Sequence, residues 1–162
     1  MKKFRISIVA LAVVALMGVT AAAALASAQA KVVFAAKYSG NATTKVDGNT
    51  ATISATGTGT ASQIGAGSIT GLGTGDTSQQ PCIPFTGTGT MKGSGGTITF
   101  KVIPGSNACG DEGGHNFTIT SHLAVLKATG KLAKTKGTLR MTGTYSHDDG
   151  SFSVKVSGTL TK

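Results

Sequence analysis

A period of two governs this chain. From Ser151 to Thr161, Phe152, Val154, Val156, Gly158 and Leu160 fall on one face, and Ser153, Lys155, Ser157 and Thr159 on the other. Thr97–Ile103 repeats the pattern with Ile98, Phe100 and Val102, and Thr138–Tyr145 with Leu139, Met141, Gly143 and Tyr145. Phe117, Ile119, Leu123 and Val125 share a face in which Ser121 is the odd member. Alternation with one apolar face is the mark of half-buried antiparallel strands. Turn clusters separate these runs at Asp47-Gly48-Asn49, Gly93-Ser94-Gly95-Gly96, Gly113-Gly114 and Asp148-Asp149-Gly150. Asp149-Gly150, set between two alternating runs, is the strongest hairpin signal. The expected fold is all-β, with about eight strands. Lys127–Lys136 has room for one helical turn, but Gly130 and the flanking strands make it a loop.

Two Thr-Gly ladders, Thr56–Thr60 and Thr86–Thr90, put every threonine on one face and every glycine on the other. A glycine stripe weakens a strand unless the sheet coils tightly or another group approaches the backbone. Barrel closure needs such bends. A small closed antiparallel barrel is therefore expected, with a β-sandwich as the alternative architecture.

The N-terminus is of a different kind. Lys2, Lys3 and Arg5 precede an uncharged apolar run, Ile6–Leu25, and Ala28-Gln29-Ala30 offers a small-residue cut before Lys31. This is the order of a cleaved export peptide, expected to be helical. The expected organisation is a signal peptide over 1–30 and one secreted domain over 31–162. An uncleaved anchor is the alternative, because the run is long enough to span a bilayer. After cleavage no segment is apolar enough to cross a membrane as a helix.

The exported chain keeps twelve Lys and Arg against six Asp and Glu, a formal charge of +6. Lys127, Lys131, Lys134, Lys136 and Arg140 lie in a stretch without an acid. They form a candidate contact with an anionic cell-surface polymer or phospholipid headgroups, or else a solvated edge that blocks strand aggregation. No aromatics interleave with them, which argues against nucleic acid. Cys82 and Cys109, the only cysteines, are expected to pair in an oxidising compartment. The bridge would tie the outer ends of a hairpin made of strands 84–91 and 96–104.

The Thr52–Ser62 ladder and the closing run Ala124–Leu160 resemble small secreted bacterial barrels of the allene-oxide-cyclase-like and dirigent-like superfamily. In those proteins a GTGT-rich hairpin is followed by a Gly-rich loop, here matched by Ala128–Ala133, and by a hairpin ending in Ser-Gly-Thr. This chain lacks the loop aromatic that follows the cation in that family. The resemblance implies a barrel and a bacterial, extracytoplasmic setting. Plant members use a cavity to steer a reactive lipid or a radical coupling.

Catalytic signatures are missing. There is no G-x-S-x-G elbow, and Glu112 is the only glutamate, so paired glutamates for glycoside hydrolysis are excluded. Asp111, Glu112 and His115 are the densest group of potential metal ligands, but their spacing is not that of an oxygen-ligand loop. His147, Asp148 and Asp149 sit at a hairpin tip. Ser121 and His122 are the candidate polar groups of a cavity, His122 only if the polar face points inward. No metal or other cofactor is expected. Three function classes follow: a non-catalytic barrel binding an apolar small molecule or an anionic surface, a cyclase-like enzyme acting on a reactive lipid, and a threonine-faced binder of polysaccharide or ice.

Overall fold

The computed structural model describes residues 30–162; the expected signal segment lies outside the described residues except for Ala30. Eight strands follow in order: β1 (Lys31–Asp47), β2 (Thr50–Ala61), β3 (Gly65–Asp76), β4 (Cys82–Gly93), β5 (Gly96–Gly110), β6 (Asn116–Ala128), β7 (Thr138–Ser146) and β8 (Ser151–Thr161). Each pairs antiparallel with the next, and β8 returns to β1, from Lys31↔Thr161 to Asn41↔Ser151. The sheet is therefore a closed up-and-down barrel and not a sandwich. Every strand pair lies within 31–161, so the barrel is complete without the preceding segment.

The alternation decides what fills it. Phe152, Val154, Val156 and Leu160 of β8 all point inward and are buried, as are Leu139, Ile98, Phe100 and Leu123. The glycines of the ladders also face inward. A Cβ on Gly57 would meet the Phe152 ring, and one on Gly59 the Tyr38 ring. The stripe is thus the space that large side chains from other strands occupy, while the threonines take the outer wall.

The two ends differ. At the end where β1 starts and β8 stops, Phe34, Ile64, Met91, Ile98, Leu132, Leu139 and Leu160 are at most 1% exposed. Leu132 is carried there by a single 3-10 turn, Gly130–Leu132, inside the segment expected as a loop over Lys127–Lys136, of which Lys127 and Ala128 still belong to β6. Its segment is held by Lys131 N–H donating to Gly95 O and by Thr135, whose hydroxyl donates to Leu132 O. This end is plugged; the opposite end is not.

Two irregularities shape the wall. Between Ile103↔His122 and Asn107↔Thr120, β5 carries extra residues against β6, a bulge. It turns Ser106 inward, where its hydroxyl donates to Ile103 O and accepts from Ser121 Oγ and His122 N–H. A second bulge, between Thr99↔Lys127 and Phe100↔Val125, leaves Leu126 unpaired and outside.

Candidate functional site

Above the plug the barrel is hollow. A cavity of about 340 Å³ lies within the half bounded by the β1–β2, β3–β4, β5–β6 and β7–β8 connections. Its wall is apolar, with Ile53, Phe85, Phe100, Val102, Ile119 and Phe152 among the residues that line it. Gly71, Gly73 and Gly75 line it on β3, and at Gly71 the absence of a side chain leaves the space open, since a Cβ there would meet nothing closer than 3.7 Å. Val46, 59% exposed, sits at the rim. An eight-stranded barrel has room for packed side chains or one small ligand, and this one does the first at one end and the second at the other.

Polar groups are sparse and lie toward the mouth. Tyr145 and His147 are the only titratable side chains on the wall. The Tyr145 hydroxyl is satisfied by a 2.9 Å hydrogen bond with Thr44 Oγ1. Gln80 and Thr77 come from the β3–β4 connection. Tyr38 does not line the cavity, and its hydroxyl is buried without a partner, the only such side-chain atom among the described residues.

Two neighbouring loops latch together at the rim of the mouth. His115 Nδ1 meets Asp148 Oδ1 at 2.8 Å, and His147 N–H donates to His115 O. Asp111 braces the β5–β6 loop from below, accepting from His115 N–H, Asn116 N–H and Asn116 Nδ2. The Asn116 side chain is the main reason its carboxyl lies below the usual aspartate value. The hydrogen bond and charge of Asp148 raise the His115 imidazole above the ordinary 6.5. A raised folded pKa means the latch is fully formed below the ordinary histidine pKa and is lost as pH rises through the elevated one. Both side chains are exposed, so the latch orders the mouth without contributing much to global stability. Asp148→Asn is expected to lower the His115 titration midpoint, read by NMR of the imidazole; an unchanged midpoint would show that no latch exists.

The sequence candidates are distributed as follows. Ser121 faces inward and is fully buried, but it does not line the cavity; it pins the β5 bulge through Ser106. His122 lies on the outer wall, because the apolar face is the interior, so it is not a cavity group. Asp111 and His115 share a loop, held by the backbone bond already described. Among the described residues no three His, Cys, Asp or Glu side chains gather closely enough to hold a metal ion. Cys82 and Cys109 face each other across β4–β5 and are bonded, at the mouth end of the hairpin as the sequence implied. Lys127, Lys131, Lys134 and Lys136 cluster at the plugged end, and Arg140 stands on the adjoining outer wall of β7. Sequence reasoning missed the Ser106 bulge, although Pro104-Gly105 inside a strand run was a signal for it. No family model, curated protein or solved structure matches the chain, so its own residues carry the functional reading.

Proposed function

We propose that the chain is an exported, non-catalytic bacterial barrel that binds one apolar small molecule in the cavity at its open end. The carrying observation is an apolar, preformed space of about 340 Å³, closed below and open above. That size is at the lower end for small-molecule sites and suits a single ring system or a short aliphatic chain. The few polar groups stand at the mouth, where they orient a ligand's polar end. The resemblance to the allene-oxide-cyclase-like and dirigent-like barrels implies a barrel of this kind and a cavity that takes a small apolar molecule. Fold alone does not carry activity. The two titratable side chains on the wall, Tyr145 and His147, share no hydrogen bond, and the Tyr145 hydroxyl is engaged with Thr44 Oγ1, which weighs against acid–base work of that type.

The neutral fluorescent probe N-phenyl-1-naphthylamine tests the reading. It is expected to bind saturably with one-to-one stoichiometry and to be displaced by a medium-chain alcohol. Gly71→Leu places a side chain directly into the cavity, since a Cβ there meets nothing closer than 3.7 Å. This variant is expected to stay folded and to lose at least tenfold in probe affinity. Equal binding by Gly71→Leu, or no saturable binding by the parent, would refute the proposal. Conversion of an epoxy fatty acid would move the assignment to the cyclase-like enzyme.

A further inference from the structure

Apart from Lys45, near the mouth end of β1, charge is sorted along the barrel axis. All six carboxylates, Asp47, Asp76, Asp111, Glu112, Asp148 and Asp149, lie at strand ends or connections around the open mouth. Seven lysines, Lys31, Lys92, Lys127, Lys131, Lys134, Lys136 and Lys162, lie at the plugged end, all of them exposed. The antiparallel meander explains how distant positions gather. Odd-to-even connections return at the mouth and even-to-odd connections at the plug, with both ends of the described chain beside the latter: Lys162 N–H donates to Ala30 O. The His115–Asp148 contact is the only ion pair among the described residues, so none of the seven lysines is neutralised by a carboxylate. Solubility requires no such sorting, since interspersed charges serve it equally well.

We propose that the plugged end docks on an anionic phospholipid surface and holds the open mouth away from it. Two further observations favour a lipid over a soluble polyanion. Val33 and Leu126, 71% and 56% exposed, stand beside Lys31 and Lys127 at the same end. Leu126 is pushed outward by its bulge. Aliphatic side chains set among lysines match the headgroup–acyl boundary, whereas a sugar-phosphate chain has no use for them. Connectivity agrees: the apolar run ends at Leu25 and β1 begins at Lys31. A chain still held by that run presents this end to the bilayer. The acidic mouth is repelled by the same surface, so attraction and repulsion fix one orientation.

The test uses the chain from Lys31, which contains the whole barrel, in cosedimentation with vesicles. Binding is expected to vesicles containing phosphatidylglycerol and not to phosphatidylcholine alone, and to weaken steeply with salt. Lys127→Gln with Lys131→Gln and Lys136→Gln is expected to reduce partitioning about a hundredfold, as expected for three surface lysines. The charge-matched triple on the outer wall, Lys37→Gln with Lys101→Gln and Lys155→Gln, is expected to lose far less. Equal losses from the two triples would mean diffuse attraction and would overturn the docking surface. Val33→Ser with Leu126→Ser is expected to weaken vesicle binding while leaving any binding to a soluble poly(glycerol phosphate) unchanged. If vesicle binding is insensitive to this pair and the polymer binds as tightly as the vesicles, the partner is a polymer and the lipid proposal fails. None of these variants touches the cavity, so the outcome is independent of what the cavity binds.

Discussion

Replacing Cys82 and Cys109 together by alanine is expected to lower the unfolding free energy by about 3–4 kcal/mol. The bond closes a loop with a sequence separation of 27 residues, and on the chain-entropy model most of the effect lies in the unfolded chain, which regains the freedom the crosslink removes. For a domain of this size the melting temperature should fall by on the order of 10 °C. A native contribution adds to it. The ladder between β4 and β5 shifts register between Pro84 and Gly87, so the mouth end of this hairpin is separated from the regular pairing below it. Cys82↔Cys109 is one of three pairs beyond that shift. Ile83, Phe85 and Ala108 form part of the cavity wall there. Without the bond, amide exchange should rise first at Cys82–Phe85 and Asn107–Gly110, before the plugged end is affected. Urea unfolding of oxidised protein, reduced protein and the double variant measures the first effect. A loss below about 1 kcal/mol would show that the bulged hairpin holds itself together and that the crosslink is incidental.

The alternation that made strands legible also made the inward face legible wherever large apolar residues carried it. Phe152, Val154, Val156 and Leu160 lie where the period of two placed them. The same signal failed for the ladders. Thr-x-Thr and Gly-x-Gly are equally regular, and which set faces inward depends on rings contributed by β1, β5 and β8, distant in sequence. His122 followed from this: once the apolar face of β6 was inside, its histidine was outside. Ser121 was correctly singled out as an odd polar member of an inward face, but its partner Ser106 is supplied by a bulge that periodicity does not encode.

The mouth was visible only as separate turns. Gly113-Gly114-His115 and His147-Asp148-Asp149 are about thirty residues apart, and nothing local says that one histidine meets the other loop's aspartate. Topology supplies it: in an up-and-down barrel the β5–β6 and β7–β8 connections stand at one end, flanking the β6–β7 pair. The same parity gathers the lysines. The sequence showed a basic run over 127–140, whereas Lys31, Lys92 and Lys162 joined it only when alternate connections were assigned to alternate ends.

Gly89→Ala and Gly71→Ala are expected to have opposite effects, although the two glycines face each other across β3–β4 in the same stripe. At Gly89 a Cβ would stand 2.4 Å from Phe100 Cζ and 2.6 Å from Thr70 O. Phe100 is Gly89's direct partner on β5 and is buried, and the Thr70 carbonyl is backbone within a closed sheet. Neither yields without disturbing the barrel, so the methyl overpacks the wall at a cost of about 3 kcal/mol. At Gly71 the nearest atom to a Cβ is Thr88 O at 3.7 Å, an ordinary contact, and the group enters the cavity. There the substitution removes backbone freedom from the unfolded chain without strain and is expected to stabilise by about 0.5 kcal/mol. Pairing Gly89→Ala with Phe100→Leu tests the cause. A smaller side chain at 100 relieves the clash, so the double variant should be more stable than the sum of the single effects allows. Chemical unfolding of the four proteins measures all of this. If Gly71→Ala costs as much as Gly89→Ala, the space beside Gly71 is filled in the protein, and the cavity on which the binding function rests is not there.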